Sequence, residues 1–394
     1  FYVFIWLLIA ISMIINVIPV TSKPNSITLI KNAPKHSMDE IIQFNRDYLM
    51  FRYKYLTRSS DQYALNKLAS AEKRSKSINL SSEYYGQVVI GGQKFIVWFD
   101  FSTSDLFVPS PPCECGHNQF NSSLSKTFRN IGNKFIIHFG ATTVNGTLGE
   151  DILLAGGIKS DQIFGLTLSE NGFFTIEPFD GVLGLGFDSV SNFNTTSPFS
   201  KMVKQKAVKN PYFGFHISRN GDGATLTLGD IDTTKFTGKL SYNKVSTING
   251  TYVHWMTNMD DISINGKKLK YKIKSAIFDP SSDYVYTSSG NAEAFHNLIN
   301  GANQFCNDVT CIYTVPCNST DRVEYIFNGI NYHSNLIAGK RDDLGICFSA
   351  VQSADFGGDS DHIMLIGVPL LKDVYSVYNI KDFTIGLAPT SKIV

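Results

Sequence analysis

The sequence predicts an all-β protein of two similar lobes around a shared cleft, and three observations carry that expectation. Aromatic residues are abundant, with 29 Phe, 18 Tyr and 3 Trp beside 31 Gly, a combination that favours strands and tight turns over helix bundles. Short β-branched or aromatic runs broken by Gly, Asn, Asp and Ser fill the chain after Ser77, as in Gln87-Val88-Val89-Ile90 and Phe95-Ile96-Val97-Trp98-Phe99. An internal echo sets Phe99-Asp100-Phe101-Ser102-Thr103-Ser104-Asp105 against Phe278-Asp279-Pro280-Ser281-Ser282-Asp283, the two leading aspartates standing 179 residues apart. Each Asp ends an apolar run and opens a polar turn. A lone Asp after a strand is ordinarily a turn residue or a cap, but two echoing copies suggest one carboxylate from each lobe meeting in one cleft.

The chain has 394 residues, 43% hydrophobic and 18% charged, enough to build a real core. It is longer than the roughly 250–300 residues that one core usually organises, so two compact units are expected at 78–208 and 209–394. Lys plus Arg total 35 and Asp plus Glu 34, which leaves no global field for nucleic acid or a membrane surface. The expected partners are a peptide or protein substrate or ligand and the chain's own prosegment, with the protein a monomer.

Residues 1–22 carry no charge, the first being Lys23. The stretch reads as a secretory signal leaving at Thr21-Ser22, or as a membrane anchor, since it is about long enough to span. Either reading puts the remainder in the secretory pathway, secreted or in a lysosome-like compartment. Residues 23–77 read as a basic, helix-leaning prosegment with 11 Lys or Arg against 5 acids, a charge of +6 that leaves −5 for the rest. A basic arm across an acidic body suits a zymogen; a solvated linker of the same charge is the alternative. Lys73-Arg74-Ser75-Lys76 offers a processing site.

Six cysteines in an exported chain point to disulfides: Cys113, Cys115, Cys306, Cys311, Cys317 and Cys347. Spacing alone does not fix their pairing. Cys113-Glu114-Cys115 lacks the second pair or His cluster that would complete a metal site. Asn79, Asn121, Asn145, Asn194, Asn249 and Asn318 open glycosylation triplets. Two helices are expected within the β pattern, one after Ser197-Pro198 carrying Phe199, Met202, Val203 and Ala207, the other from Ala292 to Asn300 and ending at Gly301.

From about residue 78 to 390 the chain resembles the pepsin family of aspartic proteases. Glu83-Tyr84-Tyr85-Gly86 and Ile90-Gly91 resemble its first mature strands, and Asp100 through Leu106-Phe107-Val108-Pro109-Ser110 its first active-site loop and following strand. Phe139-Gly140-Ala141-Thr142, leading into Gly146-Thr147-Leu148-Gly149, resembles the flap hairpin. Phe179-Asp180-Gly181-Val182-Leu183-Gly184-Leu185-Gly186 and Leu365-Ile366-Gly367 resemble the paired segments that thread beneath each aspartate. The resemblance implies a bilobal fold, a catalytic dyad of Asp100 and Asp279 sharing one proton around a water, and no cofactor or metal. It also implies that the hydroxyls of Thr103 and Ser282 bond the outer carboxylate oxygens. For the cysteines it implies pairs Cys317–Cys347 and Cys306–Cys311, with Cys113 and Cys115 at a small disulfide loop.

The family signature at each aspartate is Asp-Thr/Ser-Gly, whereas this chain has Asp100-Phe101-Ser102 and Asp279-Pro280-Ser281. Neither Phe101 nor Pro280 carries the hydroxyl that ties the two loops together, and Pro280 also lacks a backbone donor. Ser102 and Ser281 place a Cβ where the family's glycines let N–H groups approach the carboxylates, so a shifted chain is expected there. Phe139 and Phe107 stand where the family usually has a Tyr and a Trp bonded to each other, which leaves an apolar flap without its polar latch. A misplacement of about 1 Å costs about 10²-fold in rate, so the expected function is a catalytically impaired homologue that binds peptides; the alternative is an active acid endopeptidase. No His-Glu-x-x-His or Gly-x-Ser-x-Gly segment supports a metalloprotease or a serine hydrolase.

Overall fold

The computed structural model describes residues 25–31, 84–139, 142–170, 174, 177–219, 224–270, 273–306, 311–341, 345–354 and 360–391. The expected leader, the processing site, Asn79 and the prosegment from residue 32 onward lie outside them.

The strand Gln93–Asp100 shows how the sequence builds the first lobe. Its residues alternate between two cores: Phe95, Val97 and Phe99 enter the large cluster that runs through the molecule, while Ile96 and Trp98 face a second cluster with Phe107, Phe135 and Val182. Both faces of the strand are therefore buried, which explains its nearly unbroken apolar run. It is one member of a 13-stranded sheet that joins Tyr84–Ile90, Gly181–Gly184, Leu106–Pro109 and three long hairpin strands to a central group, Tyr212–Ile217, Ala224–Leu228, Val374–Asn379 and Thr384–Pro389. The rest of the second lobe is one five-stranded and two four-stranded sheets. The fold is all-β and bilobal. The expected boundary near residue 208 falls between the helix Pro198–Lys204 and the strand Tyr212–Ile217.

The echo in the sequence becomes a repeated three-strand unit. Val97–Asp100 runs parallel to Gly181–Gly184, which is antiparallel to Leu106–Phe107. In the second lobe, Ser275–Phe278 runs parallel to Ile363–Ile366, which pairs antiparallel with Tyr286. Each unit delivers one aspartate to the end of its first strand.

Two local expectations need correction. Residues 26–31 are a strand, not part of a helical arm; Ser26-Ile27-Thr28-Leu29 alternates polar and apolar, and the strand fills a gap in the sheet, antiparallel to Ala224–Leu228 and then to Tyr84 and Tyr85. The helices are shorter than their apolar spacing suggested. The first spans Pro198–Lys204, because Lys206 takes a left-handed φ of 58° and ends it before Ala207. The second spans Ser289–His296, and Leu298 and Ile299 then bond three residues back in a tightened exit turn.

Candidate active site

Asp100 and Asp279 are each only 1% exposed, and the two repeated units hold them in matching ways. The Asp100 carbonyl accepts from Leu185 N–H at 2.7 Å, and Asp279 N–H donates to the Ile366 carbonyl at 2.9 Å. Beyond them, Gly186 N–H reaches the Thr103 carbonyl and Val368 N–H the Ser282 carbonyl, both at 2.7 Å. The threading segments pass so close that only glycine fits. A Cβ on Gly367 would stand 2.3 Å from the Ser282 carbonyl oxygen, and one on Gly184 2.5 Å from that of Thr103.

The serines behave differently from expectation. Ser102 N–H donates to Asp100 Oδ1 at 3.0 Å and Ser281 N–H to Asp279 Oδ1 at 2.9 Å. A Cβ at these positions does not keep the backbone donors away, because neither serine has a positive φ. Ser102 adds its hydroxyl, 3.1 Å from Oδ1 and 3.4 Å from Oδ2 of Asp100.

The outer hydroxyls depart from the family's pattern. Ser282 Oγ donates to the Tyr284 carbonyl at 2.8 Å instead of to Asp279. The Thr103 hydroxyl is buried with no hydrogen-bond partner. In the first loop the side-chain hydroxyl on the carboxylate is that of Ser102, one residue before Thr103. In the second, a carbonyl two residues on is the nearer acceptor.

One buried indole connects the two loops. Trp255 is fully buried; its Nε1–H donates to the Leu185 carbonyl at 3.1 Å, and its own carbonyl accepts from Phe278 N–H at 2.9 Å. Leu185 is bonded to Asp100, and Phe278 precedes Asp279, so a hydrogen-bonded path runs from one aspartate loop to the other. Nothing in the local sequence around Trp255 announces this role; only the pairing of strands distant in the chain creates it.

Comparison with known proteins agrees with this geometry. The family model described as eukaryotic aspartyl protease matches residues 83–390. The chain belongs to that family. It is similar to the aspartic-type endopeptidase ctsD of Aspergillus fumigatus, 31% identical over 324 residues, which are 79% of this chain and 66% of the relative. Pepsin A of Sus scrofa is 31% identical over 79% of this chain and 82% of its own length. Chymosin of Camelus dromedarius is 30% identical over 83% of this chain and 87% of its own.

The segment expected to form the flap is a hairpin: Arg129–Phe139 pairs with Thr142–Ala155, Phe139 lying opposite Thr142. Gly140 and Ala141 lie outside the described residues. Phe107, at the expected latch position, is buried and packs edge-on against Phe174 with ring centroids 5.6 Å apart.

Glu170, paired with Val144 of this hairpin, is a buried carboxylate whose Oε1 has no hydrogen bond among the described residues and lies 3.6 Å from His117 Nε2. Burial first, and the negative charge of Asp180 second, push its carboxyl up to about 7. The donor atoms of Cys113, Cys115 and Glu170 lie within 4.8 Å of one another. The two sulfurs are joined as a disulfide and so offer no thiolate to a metal. Cys306–Cys311 and Cys317–Cys347 are also paired. Asn121, Asn194, Asn249 and Asn318 are exposed and Asn145 is half-buried on the flap strand.

Proposed function

We propose that this aspartyl protease homologue binds extended peptides in the cleft between its lobes and hydrolyses them far more slowly than relatives that keep both Asp-Thr-Gly motifs. The observation that carries this reading is where the hydroxyls go. Neither Phe101 nor Pro280 carries a hydroxyl to bond one loop to the other, and neither Thr103 nor Ser282 serves a carboxylate through its side chain in the described geometry. Peptides would add a strand to the flap, with backbone hydrogen bonds supplying affinity. Asp100 and Asp279 would share one proton around a water, one activating it while the other protonates the carbonyl. Passage through the secretory pathway, activation by removal of residues 23–77 and glycosylation at the exposed asparagines complete the proposal.

A second reading, an efficient acid endopeptidase, is favoured by the Ser102 and Ser281 N–H groups that still bond the carboxylates. Cleavage of a peptide library at acid pH by the processed chain, with Asp279→Asn as control, separates the two. Binding of a non-hydrolysable hydroxyethylene peptide combined with a kcat/KM at least about 10²-fold below that of pepsin A supports impairment. A kcat/KM within tenfold of pepsin A, abolished by Asp279→Asn, establishes the second reading.

A further inference from the structure

Phe101 occupies the place of a polar residue, yet it is 2% exposed and its ring is fully engaged. It meets Phe213 at a centroid distance of 5.7 Å, Phe215 at 5.1 Å and Tyr378 at 5.1 Å, in each case edge to face. Tyr378 stacks on Phe213 at 5.1 Å and meets Trp255 edge-on at 5.0 Å. Trp255 is the indole that links Leu185 to Phe278. Burial raises the Tyr378 phenol pKa most, and the charge of Asp279 raises it further.

We propose that Phe101 is a positioning residue, and that its ring, seated among Phe213, Phe215 and Tyr378 and braced by Trp255, replaces the missing hydroxyl clamp between the two aspartate loops. The proposal deepens the reading of Asp100 and Asp279 as a dyad and rests on it. A hydroxyl clamp needs a donor and an acceptor facing each other, and Phe101 and Pro280 supply neither. A ring adjacent in sequence to Asp100 fixes the same stretch of backbone by volume. With the ring seated, the backbone of residues 100–102 has little room to rotate, and the Ser102 N–H and hydroxyl stay directed at the carboxylate. The cluster draws on strands from the central sheet, Tyr212–Ile217 and Val374–Asn379, so one aspartate loop is packed against elements that also hold Trp255, whose carbonyl accepts from Phe278 beside the other.

This differs from an ordinary core role in one measurable respect. A core residue affects stability, whereas a positioning residue also affects how firmly the Ser102 and Ser281 N–H groups are held on the two carboxylates. The test is native-state amide hydrogen exchange of Ser102 and Ser281 in the full chain at one pH, with the second-lobe strand Val323–Phe327 as the reference for global opening. It needs no peptide, so its outcome stands whether or not the cleft binds one; a failure to bind the hydroxyethylene peptide speaks only to the proposed function.

In the parent chain both amides are expected to exchange slowly. Phe101→Thr, although it restores the family's residue, should speed both by at least about tenfold relative to the reference strand. Phe101→Leu, which keeps most of the volume, should retain the protection, and Trp255→Phe should reduce it by a smaller factor. Thermal unfolding of each variant separates global loss from local loss. The proposal is overturned if folded Phe101→Thr keeps the parent protection at both amides, if Phe101→Leu and Phe101→Thr reduce it equally, or if only the Ser102 amide responds. Should Phe101→Thr not fold, Trp255→Phe with unchanged protection overturns it.

Discussion

The two aspartate loops start from the same strand unit and end with different chemistry. The first has Phe101 buried in an aromatic cluster and two donors from Ser102 on its carboxylate, one backbone and one hydroxyl. The second has Pro280, a backbone donor from Ser281, and a Ser282 hydroxyl turned back to the Tyr284 carbonyl. The difference teaches that the loss of one hydrogen-bonding residue was absorbed by long-range packing in one loop and by a local turn in the other. The loops should therefore respond unequally to the same repair.

The largest inequality is expected in stability. Phe101→Thr leaves a cavity among buried rings and an orphaned hydroxyl, a cost of about 3–5 kcal/mol. Pro280→Thr mainly frees the unfolded chain and costs below about 1 kcal/mol. Urea unfolding of the two single variants measures both; equal losses would erase the contrast between the loops. It follows that restoring Asp-Thr-Gly in both loops improves cleavage only if the aromatic cluster is refilled at the same time.

Side-chain hydroxyls come next. Ser102→Ala removes a hydrogen bond to a carboxylate, about 1.5–3 kcal/mol. Ser282→Ala removes a bond to a neutral carbonyl, about 1 kcal/mol. Urea unfolding of the two alanine variants reads both losses, and a loss in Ser282→Ala as large as that in Ser102→Ala would show that its hydroxyl serves Asp279 after all.

A pH effect at Glu170 sharpens the contrast from outside the loops. Its carboxyl, raised to about 7 from an ordinary 4.5, is held protonated by the folded state. The unfolded chain therefore loses this proton first as pH rises, and the contribution to stability, full below pH 4.5, fades as pH climbs to about 7. His296 acts in the opposite sense: burial lowers its pKa from 6.5 to about 4, so its contribution is lost as pH falls through that window. Comparing parent with Glu170→Gln cancels the histidine. The parent should gain more stability than the variant on going from pH 7 to pH 4.5, and identical slopes would remove Glu170 from the account.

Much of this arrangement was legible in the sequence. The alternation in Gln93–Asp100 and the echo around Asp100 and Asp279 reflect short-range periodicity, which survives in any accurate fold. The paired Gly184 and Gly367 were visible because close backbone approach excludes every other residue. The targets of hydroxyls were not legible: whether Ser282 turns to Asp279 or to Tyr284 depends on the backbone of one turn. Nor did the sequence reveal that Ser102 would donate normally, since that depends on its φ. The seat of Phe101 was the least accessible, because Phe213, Phe215 and Tyr378 are brought to it by strand pairing across most of the chain.

That last feature carries a consequence in time. Tyr378 lies on the strand Val374–Asn379, which docks on Tyr212–Ile217 near the C-terminus. During synthesis the loop bearing Asp100 is among the first parts of the described body to emerge, but one wall of its aromatic seat is among the last. Contacts between such distant segments form late, after the entropy of closing the intervening loop has been met. A ribosome-bound chain would thus hold its first aspartate in an unfinished setting until the strand Val374–Asn379 has emerged, and a product truncated before residue 374 would lack the completed site however well its first lobe had folded.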